Sequence, residues 1–267
     1  MSGKKIALVT GAGKRLGKAI AAGLADQGYA IGLHYNSSVG GAGELKDQIL
    51  SSGGTAVLLP KDLSKPDIAG ELIAETSRAL GGPVSVLVNS ASAFNTDNLS
   101  DLTTETWQFL MNVNAAAPVF LMQAFANQDP LPRNGAIINM LDTQMLSASP
   151  KRFSYFCGKF ALDGATRLAA YDLGPKGIRV NAIAPGLILP SDQTQENFDE
   201  RQNLTPLGPG LGPEDIVAAV TYLVSAPQIT GHTLVVDAGQ RLMGFGNAPL
   251  ADSFGEIPGE SEPPVSR

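Results

Sequence analysis

Cysteine is almost missing from this chain: Cys157 alone among 267 residues excludes an internal disulfide and suits a reducing compartment. Histidine is nearly as scarce, with only His34 and His232, and no His/Cys/Asp cluster has metal-ligand spacing, so a metal centre is not expected. A strong excess of one charge is lacking as well. The 25 acidic and 19 basic residues are interspersed, the formal net charge is -6, and no basic tract exceeds a few residues. That argues against nucleic acid or an anionic membrane as partner. No stretch approaches the roughly 18 apolar residues needed to span a bilayer. Ile6-Ala7-Leu8-Val9, after Lys4 and Lys5, is too short for a signal peptide and runs straight into Thr10-Gly11. A soluble, cytoplasmic protein is the expectation.

What is present has a regular order. Residues 6–10, 30–35, 56–60, 84–89, 136–140, 180–183 and 234–236 read as strands. Several are apolar on both faces, as strands of a helix-covered parallel sheet are. Residues 16–27, 43–50, 68–80, 104–127, 154–173 and 213–225 read as helices. The alternation predicts an α/β protein: a doubly wound parallel sheet with helices on both faces. No linker divides the chain, so residues 1–248 are expected to form one domain. Residues 186–212 are long, polar and rich in Pro and Gly, and they follow the sixth strand, where a substrate-binding loop would lie. Residues 249–267 read as a tail, either mobile or packed on a neighbouring subunit.

Gly11-Ala12-Gly13-Lys14-Arg15-Leu16-Gly17 follows the first strand and opens the first helix. Glycines there let backbone approach a pyrophosphate seated on the helix N-terminus, although any tight strand-to-helix turn also favours glycine. The second strand ends in Leu33-His34-Tyr35-Asn36-Ser37-Ser38, without the acid that would grip a ribose 2′-hydroxyl. Lys14, Arg15, Ser37 and Ser38 instead suit the 2′-phosphate of NADP, and NADPH is the expected cofactor. His34 is expected to shape the adenosine pocket. Asp62, followed by Leu63 after the third strand, can accept from the adenine amino group, and Asn89-Ser90-Ala91-Ser92 would line the nicotinamide end. Ordinary turn chemistry can explain either segment taken singly.

Tyr155 and Lys159 are four apart in a helical pattern and share one face. An ammonium near a phenol lowers the phenol pKa toward neutrality, which would make Tyr155 a proton donor or acceptor at physiological pH. Cys157 lies on another face and reads as packing. Trp107 and Phe109 read as helix-packing residues, and the stretch from Phe120 to Phe125 as a core or subunit-interface helix.

Taken in order, the glycine turn, Asn89-Ser90-Ala91-Ser92, Asn114, the strand ending at Asp142, the Tyr155/Lys159 helix and Ile183-Ala184-Pro185-Gly186 resemble the short-chain dehydrogenase/reductase superfamily over about residues 4–243. The resemblance implies a Rossmann fold, a tetramer, Tyr155 as proton-relay acid, Lys159 on the nicotinamide ribose, and Asn114 anchoring a water. Pro185 and Gly186 fall within the cofactor set. Asp142 departs from it, because family members usually carry a Ser there. A hydroxyl donates at any pH, whereas an ionised carboxylate only accepts and donates only if its pKa is raised. Asp142 therefore argues against simple ketone reduction and favours a substrate with N–H groups or a nitrogen to be protonated.

Within that superfamily the chain is similar to the pteridine reductases. The match lies in Thr10-Gly11-Ala12-Gly13-Lys14-Arg15-Leu16-Gly17, His34-Tyr35, Asn89-Ser90-Ala91-Ser92-Ala93-Phe94, Ile138-Asn139-Met140-Leu141-Asp142 and Pro185-Gly186-Leu187. The likeness implies that Asp142 helps protonate the pterin, that Phe94 stacks on its ring, and that Ser92 and Arg15 contact cofactor phosphate or substrate. Asn89-Ser90 departs from the more frequent pair of Asn. No residue after Leu187 in the 187–212 loop matches a substrate contact, so oxidised pterin, dihydropterin, dihydrofolate and a sugar-tailed pterin stay open. Two other readings stay open as well: an NADPH-dependent ketone or 3-oxoacyl reductase, and a non-catalytic NADP-binding sensor. Asp142 and Phe94 weigh against the first, and the joint presence of Asn114, Tyr155 and Lys159 against the second.

Overall fold

The computed structural model describes residues 4–147, 152–190 and 194–243. Seven strands, β1 (Ile6–Val9), β2 (Ala30–Tyr35), β3 (Ala56–Pro60), β4 (Val86–Asn89), β5 (Ala136–Met140), β6 (Arg179–Pro185) and β7 (Thr233–Val236), form one parallel sheet in the order β3-β2-β1-β4-β5-β6-β7. Successive side chains of each strand feed opposite layers. Ala7, Val9, Val86, Val88 and Ile138 pack under α1 (Arg15–Asp26), α2 (Val39–Ser51) and α8 (Pro213–Ser225). Ile6, Leu8, Leu87 and Ile137 pack on the other face, under α3 (Ala69–Leu80), α5 (Ala117–Ala126) and α6 (Phe153–Leu173). Both faces are buried, so the strands read as continuous apolar runs. Strand order reverses between β1 and β4, and at that switch point the carboxyl ends of the strands leave a crevice. The expected α/β, doubly wound, single-domain Rossmann architecture is thus observed. The tail 249–267 and the proposed boundary at residue 248 lie outside the described residues.

Three departures from the sequence reading have physical causes. The helix expected over 104–127 is α4 (Thr104–Met111), a π-helical turn (Asn112–Ala116) and α5. The wide turn brings Asn114, fully buried, against the second turn of α6, where a Cβ on Gly158 would stand 3.0 Å from the Asn114 Cβ. By length and composition Thr104–Ala126 could cross a membrane, contrary to the expectation from run length. In the fold it is a core segment, with Leu110, Ala117, Leu121 and Phe125 fully buried. Each buried Leu or Phe here contributes about 1.5–3 kcal/mol. Finally, the loop expected over 186–212 contains α7 (Gln195–Asn203), where Thr194 accepts from the Asn197 N–H as cap. Its composition is so polar that no apolar stripe announces it. It is docked through Phe198 and through Gln202, whose Nε2 donates to the Leu187 and Leu211 carbonyls at 2.9 Å each.

A buried polar chain fixes α6 on the sheet. Asn89 donates to Asn139 Oδ1 at 2.8 Å, Asn139 to Thr166 Oγ1 at 2.9 Å, and Thr166 to the Leu162 carbonyl at 2.7 Å. At the start of α6, the Phe153 and Ser154 N–H groups donate to the carbonyl and carboxylate of buried Asp97. These partners satisfy donors that a helix N-terminus leaves open.

Candidate active site

The glycine turn is closed by backbone contact. A Cβ on Gly17 would stand 2.2 Å from the Gly11 carbonyl oxygen, so only glycine fits there. The turn is then clamped from β2: Gly11 N–H donates to His34 Nδ1 at 3.1 Å, and His34 Nε2 lies 3.1 Å from the Lys61 carbonyl. Burial lowers the His34 pKa to about 4, so the ring is neutral near pH 7. The acceptor role of Nδ1 then puts the proton on Nε2, donating to Lys61. Thr10 Oγ1 accepts from the Ser90 and Ala91 N–H groups at 2.9 Å and ties the end of β1 to that of β4.

Around this turn opens a cleft of about 610 Å³. Its wall takes in Gly11, Gly13, Lys14, Arg15, Leu16, Gly17, His34, Tyr35, Ser37, Ser38, Asp62 and Leu63 on one side. Ala91, Ser92, Phe94, Asp142, Tyr155, Lys159, Pro185, Gly186 and Leu187 are among the residues on the other side. Hydrogen bonds from the Ser64 backbone and side chain hold the Asp62 carboxyl below its ordinary pKa, so it faces the cleft ionised. Lys14, Ser37 and Ser38 place a cation and two hydroxyls where β2 ends, and α1 has no acid in its first turn. This donor set and the glycine cradle fit a dinucleotide with a 2′-phosphate. Arg15, at φ 52, directs its guanidinium to the Leu189 and Pro190 carbonyls and so bridges the turn to the loop after β6. A larger cleft, about 730 Å³ between α3 and α5, shares no lining residue with this one.

The proton-bearing groups meet at the ends of β5 and α6. Tyr155 Oη donates to Asp142 Oδ2 at 2.9 Å, while Asp142 Oδ1 accepts from the Gln144 N–H at 2.8 Å. Lys159 Nζ donates to the Met140 carbonyl at 2.8 Å and lies 5.6 Å from the centre of the Tyr155 ring. Burial raises the Asp142 pKa, against the pull of these hydrogen bonds and of Lys159 and Arg152. Burial lowers Lys159 to about 8, opposed by Asp142. Burial, then the charge of Asp142, raises Tyr155 well above its ordinary value. The expectation that Lys159 draws Tyr155 toward neutrality is therefore corrected: the ammonium is engaged by Met140, and the phenol faces a carboxylate.

Asn114 accepts from Ser92 Oγ at 2.7 Å and from the Ala93 N–H at 3.2 Å, and its amide donates to the Ala93 carbonyl at 2.7 Å. It thus pins the turn that presents Phe94. Asn89 lies buried behind the cleft wall, bonded to Asn139. Phe94 is half exposed, with its ring 6.4 Å from that of Tyr155 and nearly perpendicular to it. Phe109, expected as packing, lines the cleft and is half exposed. Trp107 does pack, against Phe153 at 6.3 Å. Arg152 was missing from the sequence reading. Its guanidinium lies 5.0 Å from the centre of the Phe94 ring, and its signal was its place one helical turn before Tyr155.

The family model described as Enoyl-(Acyl carrier protein) reductase matches residues 11–241. Among solved structures, FolM alternative dihydrofolate reductase 1 from Brucella canis, complexed with NADP, is similar, with a TM-score of 0.84 and 35% identity, covering 89% of this chain and 94% of that one. 3-oxoacyl-[acyl-carrier-protein] reductase FabG from Staphylococcus epidermidis is 32% identical over 241 residues, 88% of this chain and 98% of the relative. Short-chain dehydrogenase/reductase eriH from Hericium erinaceus is 31% identical over 251 residues, 90% of this chain and 99% of the relative. On this match, the parallel sheet and the cleft at its switch point, the chain belongs to the short-chain dehydrogenase/reductase superfamily and is an oxidoreductase.

Proposed function

We propose that this chain is an NADPH-dependent reductase of a pteridine ring, of the biopterin, dihydropterin or dihydrofolate class. The observation that carries the reading is the 2.9 Å hydrogen bond from Tyr155 to Asp142 inside the cleft, beside the exposed ring of Phe94. A ketone needs a neutral donor, and here the phenol proton is already directed at a carboxylate. A flat heterocycle rich in N–H groups suits that carboxylate as acceptor and Phe94 as stacking surface. The named likeness to FolM points the same way.

NADPH, when bound, supplies the hydride. Gly11, Gly13, Lys14, Leu16 and Gly17 would cradle its pyrophosphate, Ser37 and Lys14 would hold the 2′-phosphate, and Ala91, Pro185 and Gly186, with Asn89 behind them, would shape the nicotinamide end. His34, Tyr35, Asp62 and Leu63 form the adenosine side. Asp142 orients the pteridine and delivers a proton to its ring nitrogen, a role helped by burial that favours the carboxyl form. Tyr155, protonated through neutral pH, replaces that proton, and Lys159 holds the next one. Arg15, Ser92 and Leu187 border the substrate. Because Asp142, Tyr155 and Lys159 interact, their protons titrate as one coupled set. We also propose a homotetramer in the cytoplasm. Phe160, Leu168 and Tyr171 stand exposed along one side of α6, and an apolar row of that kind favours association with a second copy.

A second reading, reduction of a 3-oxoacyl thioester, draws on the identity to FabG. NADPH oxidation followed by absorbance decides between them, with dihydrobiopterin, dihydromonapterin, dihydrofolate and an acetoacetyl thioester run in parallel. Turnover confined to the pteridines is expected. Turnover of the thioester alone would overturn the role given to Asp142.

A further inference from the structure

Phe109 reads from the sequence as a packing residue, yet the fold leaves it open. It is 48% exposed, while Leu63 and Val113, which line the same cleft, are buried. Its neighbours fix the side of α4 on which it stands. Trp107, two residues back, packs on Phe153 of α6, and a Cβ on Gly158 of α6 would stand 3.9 Å from Met111 Sδ, two residues on. At about 100° per residue, both contacts put α6 behind Phe109. Asn112 and Val113, three and four residues on, share its face. Asn112 Nδ2 donates to the Ser64 carbonyl at 2.9 Å, and the Ser64 N–H donates to Asp62 Oδ1 at 3.0 Å. Phe109 is therefore turned away from α6, which carries Tyr155, and toward the turn that carries Asp62 and Leu63.

We infer that Phe109 is the aromatic wall of the adenine pocket, and so a cofactor-binding residue. The inference rests on the adenosine assignment made above. Every base has a π face, so an aromatic ring supplies contact area that a carboxylate such as Asp62 cannot. The helix is held on both sides of the ring: Thr103 caps it by accepting from the Thr106 N–H at 3.2 Å, and Asn112 ties it to Ser64. The ring is thus placed before a nucleotide arrives, which lowers the cost of binding. The two open phenylalanines of the cleft then divide its length. Phe94, 6.4 Å from Tyr155, serves the reacting ring, and Phe109 serves the distant base.

Titration calorimetry with adenosine 2′,5′-bisphosphate tests this, because that fragment of NADPH carries the adenine and lacks the nicotinamide. The readout needs no substrate. Phe109→Ala is expected to weaken the fragment about tenfold and to raise KM for NADPH by a similar factor, with affinity kept in Phe109→Trp. At saturating NADPH, kcat and KM for dihydrobiopterin should stay within about twofold. An unchanged fragment affinity in Phe109→Ala overturns the inference. In that event a raised KM for dihydrobiopterin would assign Phe109 to the substrate, and a lower mass by light scattering would assign it to a subunit contact. Lys14→Gln checks the adenosine assignment itself, since it removes a cation expected at the phosphates of the same fragment. If Lys14→Gln weakens the fragment and Phe109→Ala does not, only the inference on Phe109 fails. If neither does, the adenosine side lies elsewhere and both fail.

Discussion

His34 should make this protein acid-sensitive in a pH range where few other groups titrate. Buried between β2 and the glycine turn, it is neutral, with its pKa lowered from 6.5 to about 4 by burial. A lowered histidine pKa means that the unfolded chain binds the proton more tightly. The stabilisation is therefore complete above pH 6.5 and is lost as pH falls through about 4. The gap between those values, at about 1.4 kcal/mol per pH unit, corresponds to about 3 kcal/mol, of which about 2 kcal/mol is gone by pH 5. The loss has a defined site: an imidazolium has no lone pair on Nδ1, so the 3.1 Å bond from Gly11 N–H is broken and the glycine turn loses its clamp. Denaturant unfolding at pH 7 and pH 5, for the protein and for His34→Gln, measures the effect. The carboxylates are common to both and cancel in the comparison. The variant is expected to be less stable at pH 7 but flatter with pH by about 2 kcal/mol. In parallel, the His34 ring followed by NMR, with His232 replaced so that one histidine remains, should stay neutral until pH nears 4. A ring that titrates near 6, or an unchanged pH slope in His34→Gln, refutes the reasoning.

Tyr155→Phe removes the only hydroxyl hydrogen-bonded to Asp142 among the described residues and should lower turnover at least about 100-fold, while NADPH affinity, measured by fluorescence titration, stays within a few fold. Unaltered turnover would remove Tyr155 from the proton path. The proposed homotetramer, which rests on the family resemblance with the apolar row on α6 as one of its interfaces, predicts a mass about four times that of the chain by light scattering; a monomer at micromolar concentration would overturn the assembly.

Much of the scaffold was legible because burial imposes a period on sequence. Ala30–Tyr35 and Ala136–Met140 are apolar on both faces, and the observed strands have those same limits. Pro213–Ser225 begins with Pro in its first turn and carries Ile216, Val220 and Leu223 on its buried face. The candidate site was legible only as a set of positions. The four-residue spacing of Tyr155 and Lys159 put them on one face of a helix, and that holds. The direction of the Tyr155 pKa did not follow from that spacing, because it depends on how deeply the phenol is buried and on Asp142 coming within hydrogen-bond distance.

By itself the sequence determined the layer order, the glycine turn that leads into α1, and the kinds of group brought to the cleft. Local propensity and apolar periodicity are properties of neighbouring residues and need no partner from afar. Tertiary structure alone decided what those groups do to one another. It turned Asn114 inward through a π-helical turn to hold the Ser92–Phe94 segment, sent Arg15 across to Leu189 and Pro190, and set Arg152 beside Phe94. Hydrogen-bond direction and pKa depend on distance and on exclusion of water, and both are set by residues far apart in the chain.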